Sequence, residues 1–231
     1  MVKRFGSPWD LSARLPDVPR LVLASKSPAR LATLRSAGVE PEVVVSRVDE
    51  DAVLAGARER FADLSPVDAV LVLAQAKAEE VATHTAGALV LGCDSMLEID
   101  GEVVGKPGTA DVARERWRRL RGRSGVLHSG HWVIDLRDPD DGGTAATLGA
   151  TSSTTVHFAD LDDAEIDAYV ATGEPLQVAG AFTIDGIGGP YVERIEGDHH
   201  GVVGVSLPLV RELLAEIGVP FRDLRAPQVR G

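Results

Sequence analysis

Short apolar runs alternate with segments of helical periodicity through the first half of the chain. The run at 20–24 predicts a buried strand, and the pattern over 28–37 predicts a helix that Gly38 ends. A long helix is predicted over 66–83, because Ser65 suits an N-cap and Pro66 suits the first helical position. Polar residues near Asp49 predict a further helical segment, after a short strand at 42–46.

Strands dominate the second half of the chain. They are predicted at 88–92, 96–99, 102–104, 126–136, 146–158 and 190–195, with helices over 109–120, 162–171 and 206–217. The Asp100-Gly101 dipeptide predicts a two-residue hairpin turn. The whole pattern predicts an α/β fold of mixed α+β character, with a central mixed sheet flanked by helices.

One domain, residues 20–218, accounts for this pattern. Residues 1–19 hold scattered charges and prolines without an apolar run of signal-peptide length, so we expect a weakly ordered N-terminal extension. Residues 219–231 are expected to form a C-terminal tail. No stretch approaches the ~20 apolar residues that a membrane span needs. Cys93 is the only cysteine, which excludes an internal disulfide and a cysteine-based zinc site. These features predict a cytoplasmic protein without a membrane partner.

The charge balance narrows the possible partners. The net charge of −11 argues against general binding to nucleic acid, and an anionic substrate would need a local cluster of cations. Only four of the 24 cationic residues are lysines, at Lys3, Lys26, Lys77 and Lys106. Because a compact ammonium differs from a guanidinium, this scarcity directs attention to Lys77 and Lys106 as candidates for specific roles.

The loop after the first strand carries two hydroxyls and two cations, at Ser25, Lys26, Ser27 and Arg30. A helix start presents free N–H groups and the positive end of its dipole, so this loop is a candidate phosphate-binding corner. An ordinary capped loop between strand and helix explains the same residues equally well.

Other candidates lie further along the chain. Asp94 is predicted at the carboxyl end of an apolar strand, where ligands of α/β sheets gather. Glu50 is a second candidate metal ligand, and Lys77 and Lys106 are candidate phosphate contacts. Each also has an ordinary structural interpretation as a turn cap or a solvated side chain. His128 and His131 are three residues apart in a strand, which places them on opposite faces and argues against a metal pair.

Together these segments resemble the Maf family of nucleotide pyrophosphatases over residues 20–218. Seven matching motifs follow one another in the order of the family, and their combination is specific although no single motif is. They are Ala24-Ser25-Lys26-Ser27-Pro28-Ala29-Arg30, Val48-Asp49-Glu50, Leu73 to Ala78, Asp94-Ser95, Gly105-Lys106-Pro107, Tyr169 to Pro175 and Ala179-Gly180-Ala181.

The resemblance implies an ITPase-like fold with a cleft between two lobes and hydrolysis of a nucleoside triphosphate to the monophosphate and pyrophosphate. It also implies a house-cleaning role, a divalent metal (Mg²⁺ or Mn²⁺) and a homodimer. Asp94 would be the catalytic acid–base or metal-binding residue, with Lys77 and Lys106 on the phosphates. The corner residues would be Ser25, Ser27 and Arg30, with Lys26 auxiliary because it occupies a variable position of the motif.

Three positions depart from the family at sites that it uses for base selection. Ala29 replaces the first arginine of an Arg-Arg pair, Ser95 replaces a threonine, and Asp185 replaces a glutamine. The chain matches neither the dTTP/UTP subgroup nor the 7-methyl-GTP subgroup, so the base preference is open.

Two other function classes remain as alternatives. One is a non-catalytic nucleotide-binding regulator of cell division, which would bind nucleotide without turnover. The other is a nucleotidyltransferase, against which the lack of a glycine-rich, arginine-bearing opening loop counts.

Overall fold

The computed structural model describes residues 18–61 and 63–225. Its strands are β1 (Leu21–Ala24), β2 (Glu42–Val43), β3 (Leu89–Ile99), β4 (Glu102–Val104), β5 (Ser124–Asp135), β6 (Thr147–Phe158) and β7 (Val192–Glu196). Its α-helices are α1 (Pro28–Ser36), α2 (Glu50–Arg60), α3 (Pro66–Ala82), α4 (Ala110–Leu120), α5 (Asp163–Ala171), α6 (His199–Val203) and α7 (Leu207–Glu216).

The strands form one mixed sheet in the order β2-β1-β3-β5-β6-β7, and β4 pairs with β3 outside this path. β1 runs parallel to β2 and β3, whereas all the other pairs are antiparallel. Helices flank this sheet, so the predicted mixed α/β architecture is confirmed. No helix among the described residues combines the length and the apolar character that crossing a membrane demands.

Local capping explains where several helices begin. Ser27 and Ser65 accept hydrogen bonds from backbone N–H groups in the first turns of α1 and α3, and a proline follows each of them. The predicted hairpin turn is also present, since Asp100 and Gly101 both have positive φ angles, as a type I′ turn requires.

The predicted break in β3 is wrong. Two strands were expected, with Asp94 at the end of the first, but β3 runs without interruption through Asp94 and Ser95. The reason is β5, which pairs with β3 from Leu89 to Glu98 and supplies hydrogen bonds across the polar residues.

Two other local features also differ from the sequence prediction. The segment between β7 and α7, for which no element was expected, contains the short helix α6, which the Asp198 side chain caps. The strand expected over 42–46 is shorter, because β2 pairs with β1 at only two residues.

The two terminal segments expected from the sequence lie partly outside the described residues. Residues 1–17 of the expected extension and 226–231 of the expected tail lie outside the described residues. Residues 219–225 belong to the folded domain rather than to a tail, because Val219 and Leu224 are buried in the same apolar cluster as α7.

Two apolar clusters lie along one face of β3 and meet near its middle. Leu91 and Cys93 belong to a cluster with α1 and α7. Leu97 and Ile99 belong to a second cluster, in which Trp117 of α4 is fully buried. Ser95 therefore lies between the two clusters on this face, and Asp94 lies beside it on the opposite face.

One edge of β3 is open at the same place. β1 pairs with β3 as far as Gly92, and β4 begins to pair at Leu97. Within the described residues, 93–96 have no strand neighbour on this edge. The gap lies between the segment that follows β1 and the segment that follows β4, where the expected cleft between two lobes would be.

Helix α3 crosses the opposite face of β3 and β5 at very close range. A Cβ atom at Gly92 would overlap the carbonyl oxygen of Ala74, and one at Gly130 would overlap the carbonyl oxygen of Val70. Glycine at these two positions lets the helix lie directly on the sheet, and this sets the height of the α3 side chains above it.

Candidate active site

Asp94 lies on the face of β3 that α3 covers. Asp94 is on the same face of the strand as Gly92, where α3 comes closest to the sheet, because alternate residues of a strand share a face. Asp94 is only 8% exposed, and its Oδ1 accepts a hydrogen bond of 2.6 Å from Nζ of Lys77 on α3. The close approach of helix and sheet thus brings these two side chains together.

Lys77 also contacts a second carboxylate. Its Nζ lies 2.8 Å from Oε1 of Glu50, the first residue of α2, and the Lys77 side chain is only 12% exposed. One buried ammonium therefore joins β3, α2 and α3. Asp94, Lys77 and Glu50, called the carboxylate–lysine cluster below, bring together three of the residues singled out in the sequence.

The pKa values of the two carboxyl groups move in opposite directions. Burial raises the pKa of Asp94, and the positive charges of Lys77 and Arg30 only partly oppose it. Burial also acts to raise the pKa of Glu50, but the hydrogen bond and charge of Lys77, with the charges of Lys106 and Lys26, outweigh it and lower the pKa. Two carboxyl groups whose pKa values are shifted in opposite directions can take different chemical roles.

The three lysines of the described residues converge on this site. Lys77 bonds both acids, and Lys106 and Lys26 lie close enough to lower the pKa of Glu50. Lys26 was expected to be auxiliary, and its proximity to Glu50 makes it a candidate contact for the same ligand. The scarcity of lysine in the sequence was the signal that could have identified it.

Arg30 lies on the other side of the strand and makes protein contacts. It is buried, its Nε donates to the carbonyl oxygen of Gly204 at 2.8 Å, and its Nη1 donates to that of Cys93 at 2.8 Å. Nη1 and Nη2 also donate to the hydroxyls of Ser25 and Ser95, each at 3.0 Å. These bonds join α1, β3 and the turn after α6.

The two corner hydroxyls are likewise engaged within the protein. Ser25 Oγ accepts from Arg30 and from the backbone N–H of Ser27, and Ser27 Oγ caps α1. The capped-loop interpretation therefore describes these contacts, while the exposed cation of the loop is Lys26.

The three residues that differ from the family pattern lie in different parts of the structure. Ala29 is partly exposed in the first turn of α1, whereas Ser95 Oγ is hydrogen-bonded to Arg30 and to Ser129. Asp185 is exposed on a loop that Glu174 holds.

Four hydrogen bonds that fix this loop converge on the Glu174 carboxylate. It accepts from Thr183 Oγ1 at 2.6 Å and from the backbone N–H groups of Ile187 and Gly188 at 3.0 Å. Tyr169 donates its hydroxyl to the same carboxylate. The conformation around Asp185 is thus tied to α5 and Glu174.

The two histidines make different contacts. His128 bonds Glu98 and Ser153, while Nε2 of buried His131 accepts from the backbone N–H of Ser206 at 2.8 Å. Burial lowers the pKa of His131 to about 4, so this ring is neutral at physiological pH.

The residues present fit a hard divalent cation that is shared with a phosphate ligand. Within residues 18–61 and 63–225, no group of three or more His, Cys, Asp or Glu side chains is arranged to hold a metal alone. Asp94 and Glu50, however, offer two carboxylates at one place. Mg²⁺ in phosphate-transfer sites is commonly bound by one or two carboxylates together with substrate phosphates and water.

Comparison with known proteins identifies the family of the chain. The family model for Maf-like proteins matches residues 20–217. A curated "Nucleoside triphosphate pyrophosphatase" of Rhodococcus opacus (strain B4) is 54% identical over 215 residues, which cover 91% of this chain and 98% of the relative. A protein of the same name from Salinispora tropica is 56% identical over 210 residues, 89% of this chain and 87% of the relative.

A solved nucleoside-triphosphatase/dITP/XTP pyrophosphatase from Mycobacterium abscessus covers 85% of this chain and 94% of its own, with 15% identity and a TM-score of 0.36, too low to bear on fold or function. The family model and the two relatives, by contrast, span nearly all of the described domain. The chain belongs to the Maf family.

Proposed function

We propose that this protein is a nucleoside triphosphate pyrophosphatase, which hydrolyses the bond between the α- and β-phosphates to give a nucleoside monophosphate and pyrophosphate. The observation that carries the proposal is Lys77 held between Asp94 and Glu50. The names of the relatives support the same reaction.

The residues at and around the cluster have distinct chemical roles in this proposal. Asp94 orients the attacking water and accepts its proton. Lys77, Lys106 and Lys26 neutralise charge on the phosphate oxygens. Arg30 acts indirectly, by fixing the start of α1 against β3.

Asp94 and Glu50 would also hold a divalent cation, Mg²⁺ or Mn²⁺. The chemistry that the ion supplies is neutralisation of phosphate charge as the bond breaks. In the same proposal the protein is a cytoplasmic homodimer with a house-cleaning role, and sedimentation of the purified chain tests the dimer.

A nucleotide panel tests the activity. Purified protein with Mg²⁺ or Mn²⁺ is incubated with normal and modified nucleoside triphosphates, and pyrophosphate and monophosphate are measured separately. We expect equal amounts of both products from at least one nucleotide, and the panel also identifies the base that accompanies Ala29, Ser95 and Asp185.

Variants connect that activity to the cluster. Asp94→Asn is expected to lower kcat by about 10²–10³ or more, and Lys106→Ala to lower it strongly. Ser124→Ala, a change at an exposed strand residue, serves as the control. Full activity in both site variants would refute the site assignment, and tight nucleotide binding without turnover would favour the non-catalytic regulator.

A further inference from the structure

Three side chains form a hydrogen-bonded row across three neighbouring strands. Nδ1 of His128 on β5 lies 2.8 Å from Oγ of Ser153 on β6, and Nε2 lies 3.0 Å from Oε2 of Glu98 on β3. His128 is only 5% exposed, whereas Ser153 is exposed. This Glu98–His128–Ser153 row therefore has a buried centre and an accessible hydroxyl at one end.

The row lies on the same face of the sheet as Asp94. β3 and β5 pair Asp94 with Gly130 and Met96 with His128, so Asp94, Glu98 and His128 share the face that α3 covers. β5 and β6 pair His128 with Ser153, which adds the serine to that face. The carboxylate–lysine cluster and the row are thus parts of one surface.

Helix α3 ends its coverage of the sheet just before this row. It lies over Gly130, and Thr151 Oγ1 donates to the carbonyl oxygen of Val67 near the start of the helix. Ser153 is two residues further along β6. Strand spacing places the Cα atoms of Asp94 and Ser153 about 12 Å apart, a separation that a nucleoside can span.

The partners of His128 determine what Ser153 can offer to a ligand. In the tautomer in which Nε2 donates its hydrogen to the Glu98 carboxylate, Nδ1 is left as an acceptor for the Ser153 hydroxyl hydrogen. The serine oxygen then turns its lone pairs outward. Its partner must be a hydrogen-bond donor.

We propose that Ser153, oriented by His128 and Glu98, accepts a hydrogen bond from a donor on the nucleoside of the substrate, either the 2′-hydroxyl or a donor elsewhere on the nucleoside. The inference rests on the proposed function, because it takes the triphosphate to lie on the carboxylate–lysine cluster. A buried histidine with two hydrogen-bond partners is ordinary in a protein core. This row differs because Ser153 is exposed on the same face of the sheet as Asp94, where its hydroxyl can contact a ligand.

Binding measured without turnover tests this role. Titration calorimetry uses wild-type protein and Ser153→Ala with α,β-methylene analogues of the four common ribonucleoside triphosphates and their 2′-deoxy counterparts. Ser153→Ala is expected to raise Kd by about three- to tenfold, the effect of one neutral hydrogen bond. A loss confined to ribonucleotides identifies the 2′-hydroxyl, and an equal loss for both sugars identifies a donor elsewhere on the nucleoside.

Matched variants separate this role from a structural one. Ser124→Ala, also a serine-to-alanine change on a strand of the sheet, should bind as wild type does. Glu98→Gln keeps an acceptor for Nε2 and should also bind as wild type does, whereas Glu98→Leu should reproduce the loss seen in Ser153→Ala.

Two outcomes overturn the proposal and are distinguishable. If wild type binds an analogue and Ser153→Ala binds all eight equally well, Ser153 has no such contact, while the proposed pyrophosphatase activity is unaffected. If wild type binds none of the eight, the inference about Ser153 is refuted, whereas the proposed function is refuted only if the wider panel of normal and modified nucleotides also shows no turnover.

Discussion

Lys77 contributes to the site by favouring the ionised form of Asp94, which the burial of this carboxyl group disfavours. Burial raises the pKa of Asp94, and the charge of Lys77 is the strongest effect that opposes it. Neighbouring charges shift carboxyl pKa values by about 1–3 units. The lysine therefore sets the pH above which Asp94 can act as a base.

Replacing Lys77 by methionine should move the acidic limb of the pH profile of kcat/KM to higher pH by about one unit or more. The sign follows because the base must be ionised, and a higher pKa delays ionisation as pH rises. Lys106→Met is the matched control, since it should lower the rate without moving the limb. Equal shifts in both variants would argue against a specific Lys77–Asp94 pair.

Arg30 is a predicted phosphate contact, and its hydrogen bonds within the protein also predict a structural cost on its removal. Arg30→Ala removes four hydrogen bonds, two of them to backbone carbonyl oxygens, and should lower the free energy of unfolding by about 3 kcal/mol. Urea unfolding measures this change. Arg30→Lys should recover only part of it, because an ammonium cannot make the same set of bonds.

Unchanged stability combined with weaker nucleotide binding would favour a direct phosphate contact by Arg30. In that case Arg30→Ala would unfold at the wild-type urea concentration but bind nucleotide weakly. The sequence could not decide between these roles, because Cys93, Ser95 and Gly204 lie more than sixty residues from Arg30 and only the fold brings them into contact.

At the scale of elements, the position of α3 depends on glycine. Gly92→Ala would place a methyl group against the Ala74 backbone, so the helix must shift away from the sheet and carry Lys77 with it. We expect a loss of about 2–3 kcal/mol in the free energy of unfolding, with reduced activity, measured by urea titration and product release.

Gly56→Ala in α2 is the matched control for this change. No heavy atom lies within 4 Å of a Cβ placed there, and alanine favours a helix over glycine by about 0.5–1 kcal/mol. This variant should therefore be slightly more stable than wild type. Loss of stability in Gly56→Ala, or none in Gly92→Ala, would contradict the close-approach argument.

Most elements could be predicted from the sequence because their signals are local. The caps at Ser27 and Ser65 and the turn at Asp100 need only a few neighbouring residues. The continuity of β3 could not be predicted, because it depends on pairing with β5, whose residues opposite Asp94 are more than thirty positions away in the sequence. Likewise, the sequence identified the lysines, but only the fold shows that Lys77 contacts two acids.

For the whole molecule, acid stability depends on carboxylates held in their ionised form. Burial acts to raise the pKa of Asp135, but hydrogen bonds from Arg137 and Thr144 outweigh it and bring the pKa to about 2. A lowered pKa contributes stability that is present above the unfolded value, near 4, and is lost as pH falls towards 2.

Asp135→Asn should lower the free energy of unfolding by about 2 kcal/mol at pH 7, and the difference from wild type should shrink as pH falls from about 4 to about 2. Urea midpoints at pH 7 and pH 3 measure it. Asp141→Asn changes an exposed acid of the same β5–β6 connection and should have little effect. A constant difference at both pH values would mean that the carboxylate charge is not the cause.

The uninterrupted course of β3 restricts how this molecule can move when it binds a ligand. A strand paired with β5 along nearly its whole length cannot serve as a hinge at Asp94. Any closure must come from the segments at the open edge, which carry Lys26, Glu50 and Lys106. In any such closure the carboxylate of Asp94 keeps its place in the sheet, and the charges of these segments move relative to it.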